Sequence, residues 1–109
     1  MREIRFRAWH DKDKVWHYFD WANLTSGKAD SLWYTKWGQY TGQLDKHGKE
    51  IYEGDKFKVG NIKDILIMEF VSGSFGYFFY TEFVSISKTW SNIKDKIEII
   101  GNIYDDEEG

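Results

Sequence analysis

Apolar and polar side chains trade places at every second residue in several short segments of this chain. A period of two places successive residues on opposite faces of a pleated strand, so it selects half-buried strands over amphipathic helices. Arg2 to Trp9 shows the pattern first, with Ile4, Phe6 and Ala8 on one side and Glu3, Arg5 and Arg7 on the other. Val15 to Asp20 repeats it, with Val15, His17 and Phe19 against Trp16 and Tyr18. The polar run Asp11-Lys12-Asp13-Lys14 between them predicts a hairpin.

Further strands follow the same logic. Residues 23–31 are polar and contain Gly27, which predicts a loop. Leu32 to Trp37 is aromatic and reads either as a strand or as an irregular aromatic lid. Asp45 to Gly48 fits a type I turn, and Gly54-Asp55 a second reversal. Lys56 to Val59 alternates again and is broken by Gly60-Asn61. Asp64 to Val71 is a short, nearly continuous apolar run rich in β-branched residues, which predicts a buried central strand. Ser72-Gly73 closes a turn, and Phe75 to Tyr80 is an aromatic strand in which Gly76 predicts a bulge or sharp bend. Phe83 to Ile86 suggests another short strand, Lys88 to Lys96 a loop or a single helical turn, and Ile97 to Tyr104 a last strand. The chain contains no proline, so Gly, Asn, Asp and Ser must make the turns. Many short strands with glycine-based turns predict an all-β, barrel-like domain, with an SH3-like meander from Gly54 to Tyr80 and at most one short helical turn.

With 109 residues the chain has the length of one domain, expected over residues 1–104 and followed by an acidic, disordered tail at 105–109. A chain of this size buries about two-thirds of the surface its unfolded form exposes. It carries eight Phe, seven Tyr and six Trp, more ring surface than such a core can hide, so aromatic surface is expected to remain for a partner. The net charge of −3 is set by the four acids of the tail; residues 1–104 hold 14 acidic and 15 basic side chains, which gives no global field to steer the body onto nucleic acid. The absence of cysteine excludes disulfides, thiol catalysis and a Cys-zinc site, and suits a reducing cytoplasm. No signal peptide is expected, because no apolar stretch follows Met1-Arg2-Glu3-Ile4-Arg5, and runs such as Ile65 to Met68 are too short to span a bilayer.

Three blocks resemble the YopX family of phage and prophage proteins. They are Arg2-Glu3-Ile4-Arg5-Phe6-Arg7-Ala8-Trp9; Gln39-Tyr40-Thr41-Gly42 running on through Asp45-Lys46-His47-Gly48-Lys49-Glu50-Ile51-Tyr52-Glu53-Gly54-Asp55; and Ile97-Glu98-Ile99-Ile100-Gly101-Asn102-Ile103-Tyr104. The blocks stand in the family's order and cover essentially the whole chain. His10 departs from the Asp more often found after the Trp, and Val59-Gly60-Asn61 leads into a shorter connection than many relatives carry. The resemblance implies a β-rich fold, a phage or prophage setting in the cytoplasm of a bacterial host, and a homo-oligomer. It implies no activity.

The candidate sites divide into turn chemistry and surface. Asp45, Glu50, Glu53 and Asp55 would form an acidic cluster for a divalent cation or for acid–base work, but their spacing matches no calcium loop and turn bracing is the simpler role. His10 and His17 flank the first hairpin turn and could face each other, while His47 stands apart; solvated histidines are expected, with no zinc set or triad. There is no nucleophile elbow, and Gly73-Ser74-Phe75-Gly76 lacks the Lys and the strand-to-helix context of a phosphate loop, so it reads as a hairpin turn. Arg2, Arg5 and Arg7 read as a solvated basic face.

Trp33, Tyr34, Trp37 and Tyr40 are the interaction-surface candidates. Their rings would pack as core, anchor a protein interface, or, with Lys28 and Lys36, stack the bases of single-stranded nucleic acid. The expectation is a non-enzymatic interaction or assembly protein that self-associates or binds an unidentified phage or host protein. No catalytic, metal or cofactor-binding residue is assigned, no membrane association is expected, and a nucleic-acid-binding module is the alternative.

Overall fold

The computed structural model describes residues 4–27 and 32–104. Arg2, Glu3, Lys28 and the tail at 105–109, which figure in the expectations above, lie outside the described residues. The described chain is all-β apart from two short helices.

The first hairpin joins β1 (Arg5–His10) to β2 (Val15–Asp20), with Phe6 opposite Phe19, Ala8 opposite His17 and His10 opposite Val15. Its turn is the polar tetrad, closed by the Lys14 N–H donating to the His10 carbonyl at 2.8 Å, with Lys14 at a φ of 58°. Helix α1 (Trp21–Thr25) follows immediately, at the start of the segment expected to be a loop. Its signal is a capping pair: Asp20 accepts from the Asn23 N–H at 2.8 Å while the Asn23 side chain accepts from the Asp20 N–H.

Strand β3 (Tyr34–Leu44) is long because it serves two partners. Its first half pairs with β1 and its second half with β4 (Glu50–Tyr52), giving a sheet ordered β2-β1-β3-β4. The lid alternative for residues 32–37 is therefore replaced by a strand from Tyr34 onward. Asp45 to Gly48 turns as expected, with Gly48 at a φ of 82° and its N–H donating to the Asp45 carbonyl at 2.9 Å.

Strand β5 (Asp55–Val59) is the centre of a second sheet, ordered β10-β5-β6, in which β10 is Ile97–Asn102 and β6 is Leu66–Ile67. A third sheet is ordered β7-β8-β9, from β7 (Glu69–Val71), β8 (Ser74–Phe79) and β9 (Glu82–Ser85). The apolar run at 64–71 is thus not one buried central strand. It breaks at Met68 into edge strands of two sheets, and Ile65, Ile67 and Phe70 point to solvent. The break is held by the Gly54-Asp55 reversal: Met68 donates its N–H to Asp55 and accepts from the Gly54 N–H on its carbonyl, at 2.9 and 2.8 Å. The expected meander is present, but the three sheets do not close into one barrel among the described residues.

Helix α2 (Ile86–Ile93) replaces the loop or single helical turn expected at 88–96. Ile86, Trp90 and Ile93 recur at helical spacing and pack into the core with Phe57, Met68 and Phe75. That core lies under the second and third sheets, and the first sheet contributes Ile51 to it.

Candidate functional site

Arg7 is where the first sheet meets the second. Alternation places it with Arg5 on the face of β1 opposite Phe6 and Ala8, and that face turns inward. The guanidinium lies 4.6 Å from the Trp16 ring centre and 4.9 Å from that of Tyr52, and donates to Asp55 at 2.6 Å. The other Asp55 oxygen accepts from the Tyr52 N–H at 2.7 Å. Both side chains are buried, so the expected solvated basic face is corrected: a buried arginine needs its carboxylate, and Asp55 supplies it from the next sheet. Burial pushes the Asp55 carboxyl up, against the pull of Arg7 and of the Tyr52 N–H. Arg5 is likewise paired, with Glu50, which also accepts from the Tyr52 hydroxyl at 3.1 Å. Burial, reinforced by Glu50, holds the Tyr52 phenol well above its ordinary value.

The remaining acids of the central motif are dispersed rather than clustered. Asp45 braces its own turn, accepting from the N–H groups of His47 and Lys49 at 2.9 Å each, and from Ile99 of β10 at 3.1 Å. Burial opposes its charge, but those three donors prevail and hold the carboxyl below its ordinary value. Glu53 accepts from the Gln39 N–H at 3.5 Å, so each of the four carboxylates has a structural partner of its own. Ser72-Gly73 forms the expected turn, both residues at positive φ, and Ser74 to Gly76 already belong to β8.

The other face of β1, that of Phe6, Ala8 and His10, meets a second group of rings. Between β1 and β3 the register slips by one residue: Arg7 opposes Gly38 while Trp9 opposes Thr35. The extra residue makes a bulge at Lys36, whose φ is 56°. Tyr34 and Trp37, three apart, would fall on opposite faces of a regular strand; the bulge lets both meet Phe19. Tyr34 stands edge-on to Phe19 at 5.1 Å between ring centres, Trp37 is tilted on it at 5.5 Å, and the two lie 6.0 Å apart. The Tyr34 hydroxyl shares a hydrogen bond with His17 Nδ1 at 2.8 Å. His10 stacks on His17 at 5.1 Å, accepts the Asp13 N–H on Nδ1 and is buried, which corrects the expectation of solvated histidines for this pair. His47 does remain exposed, beside Glu98 at 3.2 Å.

The four interaction candidates are thus split. Tyr40 is 7% exposed and packs on Tyr52 at 5.4 Å with Arg5 above it, so it belongs to the interior. Tyr34 is partly buried in the histidine group. Trp33 and Trp37 stay 50% and 41% exposed. Trp37 joins Phe6 and Leu24 of α1 around an open apolar groove of about 410 Å³. The alternation of β1 singled out Phe6, but Leu24 was missed because its helix was read as loop. Among the described residues no helix is long and apolar enough to cross a membrane.

Fold and surface together define a small all-β domain that uses its charged groups to brace turns and sheet junctions and leaves Trp33 and Trp37 about half exposed. The chain matches the family model described as YopX protein over residues 5–108, and it belongs to that family. Among solved structures it is similar to protein EF1440 from Enterococcus faecalis, with a TM-score of 0.62, 20% identity, and coverage of 99% of this chain and 98% of that one. At that identity the likeness shows the shared fold. No curated protein matches the chain.

Proposed function

We propose that this YopX-family chain is a phage- or prophage-encoded interaction or assembly protein that acts in the cytoplasm of its bacterial host and associates with copies of itself. One observation carries the reading: Trp33 and Trp37 remain about half exposed at the edge of an aromatic sheet face that also offers an apolar groove between Phe6, Leu24 and Trp37. Tryptophan is costly to leave in water and enriched at interface centres. No catalytic step is assigned, because the buried acids and the paired histidines are each engaged in holding a turn or a sheet junction.

A nucleic-acid-binding role has less support. Of the four rings only Trp33 and Trp37 are substantially exposed, and the Lys36 ammonium lies over Trp9 and Tyr104, at 5.8 and 5.7 Å from their ring centres.

Size-exclusion chromatography with light scattering tests association. The expected mass is a multiple of the 13.0 kDa chain, reduced by the double substitution Trp33→Ser, Trp37→Ser with the dichroism spectrum unchanged. A monomer at tens of micromolar and above would sink the proposal.

A further inference from the structure

A second cleft lies where β3, the Gly54-Asp55 reversal, the β6–β7 break and the end of β10 converge. It has a volume of about 330 Å³, and its lining includes the aromatic residues Trp37, Phe70 and Tyr104 and the acidic residues Glu53 and Glu69. Among the described residues no lysine, arginine or histidine lines it. Lys36 reaches the Tyr104 ring without lining the cleft.

Aromatic faces carry negative electrostatic potential, and a cation within about 6 Å of a ring centre is attracted to it. Two carboxylates with no basic neighbour in the lining add to that field. Rings and acids around one cleft are complementary to a cationic side chain. Phe70 and Ile103 stay 43% and 37% exposed beside Trp37, an apolar border of the kind a partner polypeptide covers. β6 and β7 are also edge strands of their sheets, so backbone at this end of the molecule can receive an incoming polypeptide.

We infer that this cleft is a receptor for a single lysine or arginine side chain presented by a partner polypeptide. The inference goes beyond the association proposed above and shares only Trp37 with it. The cleft would take a cation whether or not the chain self-associates.

The test is an amide and indole proton–nitrogen correlation spectrum of the full chain, titrated with N-acetyl-lysine methylamide, N-acetyl-arginine methylamide and the neutral N-acetyl-norleucine methylamide. Saturable shifts are expected for the Trp37 indole and the Glu53, Gly54 and Glu69 amides with at least one cationic probe. Norleucine should bind about tenfold more weakly or not at all, which corresponds to about 1.4 kcal/mol. The double substitution Glu53→Gln, Glu69→Gln should weaken the cationic probe by a similar factor. Should that variant not fold, added salt must weaken the wild-type shifts. Equal shifts with norleucine would make the cleft a merely apolar groove and overturn the inference, as would no shift with either cation. A monomer that still binds the cations would sink the association reading alone; an oligomer that ignores them would sink this one alone.

Discussion

Arg7 and Asp55 are both buried, and a buried pair differs from two buried charges. Removing one partner strands the other in a medium that solvates it poorly. Asp55→Ala is therefore expected to lower stability by about 3–5 kcal/mol in urea unfolding. Arg7→Met combined with Asp55→Ala should cost clearly less than the sum of the two single changes, since no lone charge remains. Additive losses would mean that the pair is not coupled.

Asp45 makes the complementary case, a carboxylate held charged by three N–H donors. Its carboxyl sits below the ordinary value, so its contribution is present above the usual carboxylate range near pH 4 and fades as pH falls through the folded value. Asp45→Ala should cost about 1–3 kcal/mol at pH 7, with the N–H groups of His47, Lys49 and Ile99 losing their acceptor. The gap between wild type and variant, followed by urea midpoints from pH 7 down to pH 3, should narrow. A constant gap would show that the turn does not depend on the charge.

At the scale of elements, the strands depart from expectation where they answer to neighbours on other strands. Gly76 was expected to mark a bulge or bend, yet its register with Glu69 and Ser85 is regular. The glycine is needed for close approach instead. A Cβ there would meet the Val84 carbonyl oxygen at 2.2 Å and the Phe83 ring at 2.7 Å. Gly76→Ala must push β8 and β9 apart, and is expected to cost about 1–3 kcal/mol, read as a lowered thermal midpoint. An unchanged midpoint would refute the crowding. Helix α2 did carry a readable signal in the spacing of Ile86, Trp90 and Ile93, but strand-like residues on both sides obscured it. Helix α1 announced itself only through the Asp20 and Asn23 cap.

For the whole molecule, the main core lies under the second and third sheets, while the first sheet is joined to it by β4 and the Arg7–Asp55 junction. β2 is an edge strand with one hydrogen-bonded neighbour, so its opening disturbs little else. Native-state hydrogen exchange should therefore find the amides of β5 and β8 the slowest and those of β2 and α1 among the fastest. Uniform protection across all three sheets would contradict that arrangement.

What the sequence determined by itself is local. Alternation located most strands, glycine and aspartate located the turns at 45–48, 54–55 and 72–73, and three sequence blocks pointed to the family. These features depend on a few consecutive residues, whose side-chain period and allowed backbone angles are intrinsic. What only the tertiary structure decided is which face is inside. One extra residue at the Lys36 bulge brings Tyr34 and Trp37 together on Phe19, and one buried aspartate on another sheet turns the arginine face of β1 inward. The break at Met68 likewise follows from the backbone of Gly54 and Asp55. Register and charge pairing are set by residues far apart in the chain, and a single slipped position reverses every side chain beyond it.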